Sequence, residues 1–325
     1  MFGRLVAAAI AATTTTILLA LSGGHVAQAQ TAGPIKIVVP YAAGGGADIL
    51  ARMLADRIGA AHQVTMIIEN RAGGGTVIGT EAVSRAAPDG NTLLIITDTF
   101  VVTPHLRKLS YDPLTSFEPI CNLAATPQVI VVNATSPYRS LADLVAAARS
   151  RPGQLTVASP GPGSAAHVTI EMFKRSAGVN LTYIPYPGIA PALSALIGDH
   201  ITSAFSTYAA VAEQLRAGKL RALAAASVAR IEGLPDVPAV AELGYKELEA
   251  DLWYGLYAPA KTSATTLARL ANWFSAAVRL PEIKPKLDAQ GLAPIALCGA
   301  EFGVYLRQQY DKYARGIRES NIKAE

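Results

Sequence analysis

Three times in this chain a short β-branched run ends in a glycine-rich turn that opens directly into a helical segment, and this repeated unit constrains the fold most. The turns are Val39-Pro40-Tyr41-Ala42-Ala43-Gly44-Gly45-Gly46-Ala47-Asp48, Asn70-Arg71-Ala72-Gly73-Gly74-Gly75 and Ser159-Pro160-Gly161-Pro162-Gly163-Ser164. Around the first two, Ile35 to Val39, Thr65 to Glu69 and Thr92 to Thr97 read as strands, and Ile49 to Ile58 and Ile78 to Arg85 as helices. Strands alternating with amphipathic helices predict a parallel sheet with helical crossovers, an α/β architecture.

Apolar runs at Pro119 to Leu123 and Gln128 to Val132 follow, the second ending at Asn133, where a fresh α/β set begins. Its strands are read at Gln154 to Ser159, Leu181 to Pro185, Ile201 to Ser206 and Leu220 to Ser227. Helices are read at Leu141 to Arg149, Ala165 to Arg175, Ala190 to Ile197 and Ala209 to Ala217. The Pro-punctuated stretch Leu234-Pro235-Asp236-Val237-Pro238 then leads into a short helix and the aromatic strand Trp253 to Tyr257. Three helices close the chain, at Thr265 to Arg279, Pro281 to Gln290 and Ala300 to Ser320, interrupted by one short run of strand character, Pro294 to Leu297.

The last helices have no sheet of their own, so the economical arrangement packs them on the first α/β set. The chain then crosses twice between two lobes, near residues 120–132 and 250–257. Lobe 1 comprises residues 30–130 and 252–325, and lobe 2 residues 131–251. Two crossing strands form a hinge with a cleft between the lobes, the architecture of closure around a ligand.

Before the first strand, Arg4 precedes an apolar run from Leu5 to Leu21, and Ala27-Gln28-Ala29 follows. That pattern predicts a secretory signal peptide over residues 1–29, cleaved after Ala29. The alternative is a membrane anchor, but the run carries Thr13 to Thr16 and barely reaches the ~20 residues of a bilayer span. The absence of cysteine near the cleavage point excludes a lipoprotein anchor. Residues 30–325 are enough for two cores. A 51% hydrophobic and 16% charged composition is that of a compact globular protein.

Arg4 is the only charged residue in the segment removed, so the formal charge of +4 falls by one and is spread without any basic run. Nucleic acid, whose binding needs clustered Lys and Arg, is not an expected partner. Cys121 and Cys298 permit one disulfide in an oxidising compartment, and the sequence does not establish whether it forms.

Glycine-rich turns bend tightly and present bare N–H groups, and a following helix N-terminus adds partial positive charge. Such turns make an anion pocket without a cationic side chain. Gly161, Gly163 and Ala166 satisfy GxGxxA, but no acidic residue ends the strand Leu181 to Pro185, and no Lys-Ser or Lys-Thr follows a glycine cluster. Nucleotide binding is therefore disfavoured. Ser164 and His167 lie on one helical turn like a nucleophile and base, yet there is no GxSxG elbow and no orienting acid. Ser164 reads better as a helix cap, with His167 in the first turn. His62, His105, His167 and His200 are isolated from one another and from cysteine, so neither a metal nor a cofactor is expected. Asp48 reads as the N-cap or first-turn acid of the first helix. Trp253 and Tyr254 at the second crossover read as hinge packing before ligand stacking.

At these residues the chain resembles the Bug or TctC family of substrate-binding proteins of tripartite tricarboxylate transporters. The resemblance is carried by Ile37 to Tyr41 with Gly44, Gly45 and Asp48, Glu69 to Gly73, Ala87 to Leu94, and Tyr111-Asp112-Pro113. Pro185-Tyr186 with Gly188, Ala190-Pro191-Ala192, Leu234 to Pro238 and Trp253-Tyr254-Gly255 complete it. It implies a periplasmic-binding-protein fold that closes on a small carboxylate and hands it to integral membrane transporter subunits. In such proteins backbone groups and ordered water of the first glycine-rich loop and the middle-lobe loop hold one carboxylate. Here those loops are Tyr41 to Asp48 and Ser159 to His167. The expected ligand-binding residues are Tyr41, Ala43, Gly44, Gly45, Gly46, Asp48, Asp98, Ser159, Gly163, Ser164, His167, Gly188, Ser206 and Tyr208.

The chain departs from the family pattern at Ala42, Ala43 and Ala47, where prolines and a Thr are common, at Pro187, where Lys is common, and at Ser206, where Asp is common. Ile189 also replaces a small polar residue, so the expected pocket is less polar. Asp98, expected to face the cleft, would repel a second carboxylate and accept from an amine or hydroxyl. The expected ligand thus has one carboxylate and an apolar or donor-bearing remainder. A periplasmic monomer is expected. The rival readings are an exported sensor feeding a membrane kinase and an exported hydrolase using Ser164 and His167.

Overall fold

The computed structural model describes residues 33–161, 164–186 and 188–322. The expected signal peptide with its cleavage point, Pro162, Gly163 and Pro187 lie outside the described residues.

The first α/β set consists of β1 (Ile35–Val39), α1 (Gly46–His62), β2 (Met66–Asn70), α2 (Val77–Ser84), β3 (Thr92–Thr97) and the short α3 (Thr99–Val102). Strand β1 pairs in parallel with β2 and β3. Alternation of side chains divides its core. Ile37, Val39, Leu93 and Ile95 pack with Leu50, Leu54 and Ile58 of α1, while Val38, Leu94 and Ile96 face Phe100, Tyr257 and Phe302. Both faces are covered, which explains why these strands read as continuous apolar runs.

The next strand, β4 (Phe117–Asn133), is one 17-residue element, where the sequence reads as two runs. Pro127 lies where its partners change. Phe117 to Pro127 pair with β9 (Asp251–Pro259), and the residues from Gln128 onward pair with β7 (Ser203–Thr207) and β8 (Leu220–Ala225). A proline lacks the N–H that a ladder needs, so a change of partner is where a long strand tolerates one.

The second set adds α4 (Leu141–Ser150), β5 (Thr156–Pro160), α5 (Ala165–Ala177), β6 (Thr182–Tyr186), α6 (Ile189–Ile197) and α7 (Tyr208–Arg216). Strand β5 pairs in parallel with both β6 and β7. The short helix expected before β9 is only a 3₁₀ turn, Lys246–Leu248. Between Pro238 and the Gly244 turn, at φ +88°, there is too little chain to offset helix nucleation.

The chain ends with α8 (Ala264–Val278), α9 (Lys284–Ala289), β10 (Ala293–Cys298) and α10 (Ala300–Glu319). Leu270, Phe274 and Val278 of α8 join the α1 side of the core, and Phe302, Leu306 and Tyr313 of α10 join the other. Strand β10 pairs antiparallel with β4, bringing Cys298 opposite Cys121, and the two form a disulfide across 177 residues. In the chain-entropy account a loop that long is worth about 5 kcal/mol. Among the described residues no helix is long and apolar enough to cross a membrane.

Candidate functional site

The turn between β1 and α1 is exposed from Ala42 to Gly45, with Gly44 at φ +85°, a conformation that favours glycine. Gly45 is the N-cap of α1 and supplies no side chain to the first N–H groups. What holds the turn is Asp48, only 3% exposed at the third helical position. Its carboxylate accepts from Gly44 N at 2.9 Å, Asn70 Nδ2 at 3.0 Å and Arg52 Nε at 3.1 Å, and pairs with Arg52 Nη2 at 3.0 Å. Asn70 Nδ2 also donates to Tyr41 O at 3.2 Å. Burial works against ionisation of Asp48, but hydrogen bonds from Arg52, Gly44 and Asn70 outweigh it and hold its carboxyl below the usual range. Asp48 is thus a first-turn acid whose oxygens brace the loop.

Tyr41 ties this turn to the end of β3. Its hydroxyl lies 2.7 Å from both Thr97 Oγ1 and Thr99 Oγ1, and burial pushes it up to about 12. Gly46 is required by a close approach, since a Cβ there would lie 2.6 Å from Tyr254 Oη.

Asp98 sits apart from the exposed turn at 1% exposure. Thr97 pairs with Tyr254 and Ile96 with Gly255, so one further step of the register sets Asp98 opposite Trp253. Asp98 Oδ2, Trp253 Nε1 and Tyr257 Oη all lack a hydrogen-bond partner among the described residues. Burial raises the Asp98 carboxyl to about 7, against hydrogen bonds from Thr97 and Thr99. This residue belongs to an enclosed polar group beneath α3 and α10.

The turn after β5 is held without charge. Ser164 is the N-cap of α5: its Oγ accepts from His167 N at 3.1 Å and donates to Gly161 O at 3.0 Å. Tyr183 Oη donates to Gly161 O at 3.0 Å and lies 3.2 Å from Oγ of the buried Ser159. The His167 ring stacks on Tyr183 with centroids 4.1 Å apart, and burial lowers its pKa. The Ser164 hydroxyl therefore serves the backbone as a cap, which is the arrangement of a braced helix start.

Gly188 caps α6 with an extended backbone. Ser206 is buried on β7 and its Oγ donates to Thr207 O at 3.3 Å. Tyr208 begins α7, donates to Gly233 O at 3.4 Å and lines a cavity of about 590 Å3. Gly188, Ser164 and Tyr208 thus follow the adjacent strands β6, β5 and β7. Ala165 and Val168 of α5 share one apolar cluster with Phe100, Val101 and Trp253, and Tyr41 packs against it. The two glycine turns therefore flank a common core. Tyr183, Asn70 and Arg52 brace the site, and that role was not foreseen: Asn70 stood within a recognised segment without a role, and Tyr183 and Arg52 belong to no motif. No group of three potential metal ligands occurs among the described residues.

The model of the tripartite tricarboxylate transporter family receptor matches residues 50–322. Protein BugT of Bordetella pertussis is 32% identical over 91% of this chain and 92% of its own length. The adipate-bound structure of R. palustris Rpa4515 is 29% identical with a TM-score of 0.76, covering 90% of this chain and 99% of that one. MatC from Rhodopseudomonas palustris with bound malate is 25% identical with a TM-score of 0.72, covering 88% and 99%. With an α/β fold like theirs and two braced glycine turns over one core, this chain belongs to the tripartite tricarboxylate transporter receptor family.

Proposed function

We propose that the chain is a periplasmic, monomeric receptor that captures a small carboxylate between two lobes and delivers it to integral membrane transporter subunits. The lobes in this reading are residues 30–130 with 252–325, and residues 131–251. The observation that carries it is the pair of braced turns. Both open into helices and so aim amide N–H groups and the positive end of a helix dipole at an anion. Relatives holding adipate and malate support the ligand class.

The ligand's carboxylate docks on the amides of Ala43, Gly45 and Gly46, beside the Gly44 amide that Asp48 holds, and on those that open α5, and closure buries it. His167 and Gly188 shape the second wall, with Ser159 and Ser206, expected to meet the ligand, buried behind it. Asp98 acts behind this surface as part of the buried polar group. In this reading the receptor performs no chemical step, because the Ser164 hydroxyl is committed to its cap, donating to Gly161 O and accepting from His167 N.

Isothermal titration with short carboxylates tests the reading, alongside incubation with ester and amide substrates. The reading requires saturable heat for at least one carboxylate and no turnover. Turnover abolished by Ser164→Ala would contradict it.

A further inference from the structure

The cavity beside Tyr208, at about 590 Å3, is large enough for a small molecule. It begins one strand over from the second glycine turn, because β7 lies beside β5, and paired strands are only about 4.8 Å apart. Its floor is the crossover, where Pro127 pairs with Asp251. On the far side Gly291 meets the start of α7. A Cβ at Gly291 would lie 2.5 Å from the Ala209 Cα, so the wall closes only on glycine.

The lining is divided. Ile231, Leu292 and Ile295 give it an apolar side, and Ile295 is 40% exposed. The lining bases are Arg230 and Lys284, and both are already paired: Lys284 Nζ with the two Asp288 oxygens at 3.0 and 2.9 Å, Arg230 in a bidentate pair with Glu242. Asp251 and Glu232, which also line the cavity, leave it acidic. Asp251 Oδ1 is buried without a hydrogen-bond partner among the described residues. Burial raises the Asp251 carboxyl to about 6, with Lys312 opposing and Glu249 reinforcing, so it is ionised above that pH.

An acidic chamber with an apolar side rejects a second carboxylate and suits an aliphatic body ending in a cation. We propose, resting on the carboxylate-receptor reading above, that this cavity is the distal subsite of the ligand cleft and that Asp251 is its specificity-determining acceptor. The ligand class is then an aliphatic carboxylate with a terminal protonated amine.

Isothermal titration of the mature chain with hexanoate, 6-aminohexanoate and adipate tests this. The wild type binds 6-aminohexanoate about tenfold or more tighter than adipate, as a charge-assisted hydrogen bond predicts. Asp251→Asn removes most of that preference while leaving hexanoate affinity nearly unchanged. Ile295→Glu, at an exposed position where folding is not at stake, weakens hexanoate and leaves 6-aminohexanoate at least as tight. Adipate binding as tightly as 6-aminohexanoate, or Asp251→Asn weakening all three equally, overturns the subsite. Binding of acetate with no gain from longer chains overturns the subsite but keeps the receptor reading. Failure of every carboxylate to bind overturns both.

Discussion

The turn after β1 is braced by a buried charge, and the turn after β5 by uncharged hydroxyls and a stacked ring. Asp48 gathers Gly44, Asn70 and Arg52 around one carboxylate, whereas Gly161 O gathers the hydroxyls of Ser164 and Tyr183. Both arrangements fix a glycine backbone so that its amides are presented without reorganisation, which is how an anion is held without a cationic side chain. The difference lies in what disturbs them. A carboxylate with three donors leaves several polar groups orphaned when it is lost; a hydroxyl leaves one or two.

The largest effect is therefore expected at the first turn. Asp48→Ala should lower stability by about 2–3 kcal/mol, because hydrogen bonds to a buried charged group are the costly ones to orphan. Chemical denaturation measures this, and titration should show carboxylate affinity falling in parallel. A loss under 1 kcal/mol would mean that Asp48 does not brace the turn.

Next is Gly46→Ala, which forces Tyr254 aside and should cost about 1–2 kcal/mol in stability, as overpacking does. Adding Tyr254→Phe removes the clashing oxygen and should restore much of that loss, a non-additivity that a double-mutant cycle reads directly. Additive effects would place the strain elsewhere.

Tyr183→Phe at the second turn should cost about 1 kcal/mol, the worth of an ordinary neutral hydrogen bond. A loss as large as that of Asp48→Ala would erase the distinction between the two braces.

The smallest effect is in pH dependence. His167 has a folded pKa below its ordinary 6.5, so the unfolded chain binds its proton first. Its contribution is present above pH 6.5 and is lost as pH falls from there toward the folded value. Asp48 behaves likewise but lower, its contribution declining only as pH falls below its ordinary 3.8. Asp98, raised to about 7, acts oppositely: its contribution is present below pH 3.8 and is lost as pH rises through about 7. Comparing wild type with His167→Gln cancels the Asp98 effect. The difference in stability should change as pH falls below 6.5 and be flat above about 7.5; a flat difference throughout would contradict the burial of the ring.

The α/β alternation was legible because the strands β1 and β3 have two covered faces and carry mostly apolar runs, while the edge strand β2, with Ile67 46% exposed, still keeps its β-branched character. The long crossing strand was legible only in part, since Pro127 reads as a break when its partner change is invisible. The disulfide depended on β10 pairing with β4, which brings together two cysteines 177 residues apart and which no local pattern announces. The glycine turns were recognised from their own chemistry, but their braces were not: Asn70 and Tyr183 act through position in three dimensions. Asp98 shows the same limit, because strand parity alone does not distinguish an enclosed carboxyl from one facing solvent.

In the proposed function, recognition rests on the bare amides of both turns binding one carboxylate. Glycine-selective ¹⁵N labelling with titration of a bound carboxylate reports on those amides directly. The account predicts saturating downfield shifts at Gly45, Gly46 and Gly163 with a single dissociation constant, while Gly44 and Gly161, whose amides are given to Asp48 and to Tyr186 O, shift less. Saturable binding that leaves the glycines of either turn unmoved would contradict it.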